Sequence, residues 1–170
     1  MRQISLVFIV VCSYVVLALG QSSSQPPGKD EPKQAPPEQV KLSPEFKEAG
    51  TAASDAIGRI PDIRTPDDGY QTRKLDAEKA IDVATHKATT DADKEMLKIL
   101  IAWSALAVRQ YQSDPRRDLK AFQQAANAGM YCMAEAKVVF SPGVLSEKGR
   151  EKAAEKKCLS EYQKIRDSGQ

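Results

Sequence analysis

Between Ser43 and Arg166 the apolar residues recur at intervals of three and four, and no stretch of useful length alternates strictly, so the pattern predicts helices and no sheet. Each helix opens where a capping residue precedes Pro, or where a Thr/Asp cap stands alone. Ser43-Pro44 begins the first, whose stripe of Phe46, Ala49, Ala53, Ile57 and Ile60 runs until Pro61 stops it. Thr65-Pro66-Asp67-Asp68 begins the second, with Thr65 as cap and two aspartates at the positive end of the helix dipole. Its stripe is thin: Tyr70, Ala77, Ile81, Ala84 and Ala88. Thr90-Asp91-Ala92-Asp93 reads as a fresh reciprocal cap, so the chain divides near Thr89.

The third helix carries one charge between Met96 and Val108 and is therefore expected at the centre, apolar nearly all round, with the only tryptophan, Trp103, packed inside. Asp114-Pro115 starts the fourth. Its large apolar stripe is Leu119, Phe122, Ala126, Met130, Met133, Lys137 and Phe140, and beside it lies a row of small residues, Ala121, Ala125, Ala128, Gly129, Cys132 and Ala136, that admits a close neighbour. Gly129 is also a position where that helix could end. Ser141-Pro142-Gly143 turns the chain into a last helix, from about Ser146 to Arg166, with Ala154, Cys158, Tyr162 and Ile165 on one face and mixed charges on the other. The expectation is an all-α antiparallel bundle of about five helices.

The N-terminal pattern differs. Arg2 precedes an apolar run from Ile4 to Leu19, and Ala18 and Gly20 stand at the third and first positions before a cut, so residues 1–20 read as a signal peptide. The run is short for a membrane span of about 20 apolar residues, and Cys12 follows Val11 in mid-run, away from a lipidation site. Residues 21–42 hold Ser22-Ser23-Ser24, five prolines and almost nothing large and apolar, the composition of a disordered tether. The helical domain then spans 43–170, in a secreted or periplasmic protein.

Composition narrows the partners. Among 170 residues, 25 Lys and Arg face 23 Asp and Glu, a net charge of +2 that is too balanced for a nucleic-acid binder or a polybasic membrane anchor. The membrane enters only through the export signal. With Cys12 removed in the leader, Cys132 and Cys158 remain for one bridge in a compartment where disulfides persist. In an antiparallel hairpin they lie roughly 12 and 18 Å from the turn, a mismatch of about one helical turn for the loop to absorb. Neither belongs to a Cys-x-x-Cys pair or adjoins a histidine, so a structural disulfide is expected.

Candidate chemistry is sparse. His86 is the only histidine, which removes His-rich zinc sites and bis-His haem ligation, and its carboxylate neighbour Asp82 reads as an ordinary i, i+4 surface pair. No Gly-x-Ser-x-Gly elbow, phosphate-binding glycine loop or calcium loop is present, so no catalytic residue and no cofactor is assigned. Met130, Cys132 and Met133 offer soft sulfur ligands suited to Cu(I), although methionine on an apolar stripe more often fills a core. Trp103, Leu106 and Ala107 have the spacing of the first helix of a tetratricopeptide repeat, but Gln110 stands where its Tyr belongs and no second copy precedes it. The functional expectation is an exported interaction, scaffold or inhibitor-like protein whose partner is an unknown protein, with the thin face of helix two (Tyr70, Ala77, Ile81, His86) as its surface. A periplasmic copper binder and a helical-repeat-like binding module are the alternatives.

Overall fold

Two helices begin where the sequence places them, at Ser43-Pro44 and at Thr90. The computed structural model describes residues 41–61, 68–113 and 115–168. The expectations for the leader, for the tether up to residue 40, for Thr65-Pro66-Asp67 and for Asp114 lie outside the described residues. Among the described residues six α-helices follow one another: α1 (Pro44–Arg59), α2 (Asp68–Lys87), α3 (Asp91–Gln112), α4 (Leu119–Phe140), α5 (Glu147–Ala154) and α6 (Cys158–Asp167), with one 3-10 turn at Pro142–Val144. No strand occurs among the described residues.

Ser43 caps α1 by accepting from the Phe46 amide, and Thr90 and Asp93 form the reciprocal capping box of α3. Asp93 does more. Its carboxylate accepts from the Ser43 amide at 3.0 Å and the Ser43 hydroxyl at 2.9 Å, as well as from the Thr90 amide at 3.0 Å and the Thr89 amide at 3.2 Å. One buried carboxylate thus ties the start of α1 to the start of α3. Burial by itself would raise its pKa, but the hydrogen bonds from Thr90 and Ser43 outweigh burial and hold it down to about 2.

The core is built from Phe46, Ala53 and Ile57 of α1 and Ile60 at its C-cap, Tyr70, Ala77 and Ala84 of α2, Leu100, Trp103 and Leu106 of α3, and Ala128, Cys132 and Phe140 of α4. Phe46 and Phe140 meet edge to face, their ring centroids 6.1 Å apart. Gly50 lies directly beneath the Phe140 ring, where a Cβ would overlap it. α3 packs against α1, α2, α4 and α6, as expected of the central helix, but it is not covered all round. Ile101 is 45% exposed and Leu97, Ile99 and Val108 are half-buried, Val108 beside an open groove between α3 and α6.

Two further expectations are corrected, and the alternative left open at Gly129 is decided. α4 begins at Leu119, capped by Asp118, because Pro115–Arg117 is a turn. Gly129 does not end α4, which runs unbroken past it with Leu106 of α3 in ordinary contact distance. The expected fifth helix is two, separated at Glu155–Lys157, where Lys156 takes a left-handed φ of 49°. The break stands directly before Cys158, whose Cα lies 4.4 Å from that of Cys132.

Candidate functional site

The row of small residues on α4, and not its large apolar stripe, faces inward. Ala125, Ala128, Gly129, Cys132 and Ala136 are buried and let α3 approach closely. Of the large stripe only Phe140 is buried. Leu119 is 54% exposed, Met130 41% and Met133 38%, with Phe122 and Ala126 half-buried between them. Stepping by three and four, these five form one apolar strip along the outside of α4. Lys137, next in the row, turns to α1 and donates to Asp55 Oδ1 at 2.8 Å.

This arrangement separates the three sulfur residues. Cys132 is fully buried and bonded to Cys158, whereas Met130 and Met133 lie on the exposed strip about a third of a turn away or more. Two thioethers remain together, without a thiolate. Groups of three or more His, Cys, Asp or Glu placed to hold a metal are absent among the described residues.

The four α2 residues are also divided. Tyr70 and Ala77 turn into the core, Tyr70 stacking on Tyr111 of α3 with centroids 3.8 Å apart, and Ile81 is half-buried against the same core. His86 faces solvent, its Nδ1 2.8 Å from the Asp82 carbonyl oxygen and 3.8 Å from the Asp82 carboxylate. These four therefore do not make one open surface, and the exposed apolar residues of α2, Leu75 and Val83, stand apart from each other.

A second cluster gathers where α4, α5 and α6 meet. Glu135, buried on α4, accepts from the Cys158 amide at 2.7 Å and so caps α6, whose own cap residue Lys157 makes no side-chain capping bond. Burial raises its pKa, with the Cys158 amide, the Lys156 ammonium and the Lys157 amide opposing. On the outer side, Lys152 and Lys157 place their ammonium groups 4.5 and 5.6 Å from the centre of the Tyr131 ring, and Lys157 also pairs with Glu155. The sequence signal for Glu135 was an acid flanked by Ala134 and Ala136 within the small-residue stretch, and only the approach of α6 gives it a role.

No helix among the described residues is long and apolar enough to cross a membrane. No family model, no curated protein and no solved structure matches this chain.

Proposed function

We propose that this is an exported antiparallel helical bundle, carried behind a Pro-rich tether at residues 21–42, that acts by contact with a protein partner. The observation that supports the reading is the strip Leu119, Phe122, Ala126, Met130 and Met133 on the outside of α4. Scattered apolar residues are normal on any surface, but five in register along one helix leave a continuous apolar line facing water. Methionine suits such a line, because its unbranched thioether adapts to the shape opposite. The partner chemistry that fits is an amphipathic helix whose apolar face lies along α4, with Lys120 and Lys137 at the strip's margins. The secreted or periplasmic address is part of the proposal and rests on the leader pattern of residues 1–20.

The test uses the mature protein and a Leu119→Asp/Met130→Asp variant. Both positions are exposed, so the variant is expected to keep the wild-type helix content and Tm while losing the proteins that cross-link to the wild type at Met133. Identical cross-linked partners in wild type and variant would overturn the contact surface. Intact mass of the exported protein beginning at Gln21 is expected for the address, and a retained Met1 contradicts it.

A further inference from the structure

Helix α6 is weakly held by packing. Cys158 is its only buried residue, while Leu159, Tyr162 and Ile165 are half-buried. Its seam with α3 is not closed: a groove of about 360 Å³ runs between Ala105, Leu106 and Val108 on one side and Tyr162 and Ile165 on the other. Ten residues are too few to stay helical in water unaided. What fastens α6 is concentrated at its first residue, where Cys158 is bonded to Cys132 and its amide donates to Glu135. The approach to that residue passes through Lys156 in a left-handed conformation, which a side-chain-bearing residue adopts at a cost and leaves readily when the constraint is gone. The helices α1 to α4, by contrast, supply every buried core residue but Ile60, just past the end of α1, and Cys158, and they hold the Asp93 tie, which does not involve α6; α6 adds only Cys158 and the half-buried Leu159, Tyr162 and Ile165.

We propose that the Cys132–Cys158 bond is a latch: a dithiol reductant opens it in the folded protein, and α6 then leaves its seat on α3 and α4 while α1 to α4 stay folded. The chemistry balances with the reductant alone. One of its thiolates attacks one of the two sulfurs, the bond between Cys132 and Cys158 breaks, and the second thiol of the reductant closes the mixed disulfide into a ring. Two electrons and two protons pass to the protein, leaving Cys132 and Cys158 as thiols and the reductant as a cyclic disulfide. Because both sulfurs are fully buried, attack follows a transient lifting of α6, and the open seam is what permits that lift. Release uncovers Leu106 and Cys132, a slot already shaped to one helix.

The experiment is hydrogen exchange by mass spectrometry on the mature protein, oxidised and then treated with dithiothreitol in native buffer. The bond is expected to reduce without denaturant. Amides 161–167, the ones bonded within α6, are then expected to lose protection by about a few hundredfold, the factor that closing a loop of this length is worth. Amides 96–107 of α3 are expected to stay within about threefold of the oxidised protein. A Cys132→Ser/Cys158→Ser variant is expected to show the same pattern without reductant. A bond that yields only in denaturant, unchanged protection in α6 after reduction, or loss of protection in α3 together with α6 would each overturn the latch.

Discussion

Two single residues carry most of the local consequences. Asp93 accepts hydrogen bonds from Ser43, Thr89 and Thr90 while fully buried, so Asp93→Ala leaves several donors without an acceptor at the junction of α1 and α3. The expected loss is about 2–3 kcal/mol in urea denaturation at neutral pH. Its sign with pH is set by a folded pKa of about 2 lying below the ordinary 3.8. The stabilisation is complete above the unfolded value and is lost as pH falls through the folded one. The difference between wild type and Asp93→Ala is therefore expected to shrink between about pH 4 and pH 2. Gly50 is the second. An added Cβ displaces the buried Phe140 ring, and Gly50→Ala is expected to cost roughly 1–3 kcal/mol despite its gain in helix propensity, read as a lowered midpoint in the same titration. The capping role of Asp93 was legible as a Thr-x-x-Asp motif. Its bond to Ser43, 50 positions away, was not, because nothing in a local motif says which distant donor arrives.

At the scale of elements, propensity and tie compete at Glu155–Lys157. Ala154, Glu155, Lys156 and Lys157 all favour helix, and no Gly, Pro or Asn marks a stop. The helix breaks nonetheless, and the residue that follows the break, Cys158, is held to α4 twice, by its bond to Cys132 and by the Glu135 carboxylate. The cap has a testable chemistry. Glu135→Gln keeps an oxygen for the Cys158 amide and removes a buried acid, so its stability at neutral pH is expected to match or slightly exceed wild type. Glu135→Leu leaves that amide without a partner and is expected to cost about 1–3 kcal/mol in thermal or urea unfolding. The raised pKa of Glu135 sets the sign of its own pH dependence. Its contribution is greatest below the unfolded pKa and declines as pH rises through the folded one, so Glu135→Gln is expected to gain on wild type as pH rises from acid toward neutral. The same scale explains the strip on α4. Two candidate faces lay side by side in the sequence, one large and one small, and hydrophobicity favoured the large one for the core. Close packing of α3 on α4 chose the small one, leaving Leu119, Met130 and Met133 outside.

Across the whole molecule, Trp103 reports on a single core, because it is the only tryptophan and is buried beside Gly58 among residues of every helix from α1 to α4. Unfolding of the oxidised protein followed by Trp103 fluorescence is expected to coincide with the loss of helical circular dichroism, one cooperative transition by both probes. After reduction the two are expected to part: helix content falls slightly first, as α6 is released, with fluorescence unchanged. The sequence by itself determined that the described residues are helical, where α1 and α3 are capped, that Trp103 is internal and which two cysteines pair. These follow from periodicity, cap chemistry and the number of available thiols, all of which act within a few turns or by elimination. Tertiary structure alone decided which face of α4 is buried, where the last helix divides, and what Glu135 and Asp93 hold together. Those outcomes depend on how closely two helices approach and which donors they bring, and no spacing along a single chain encodes the distance between its folded parts.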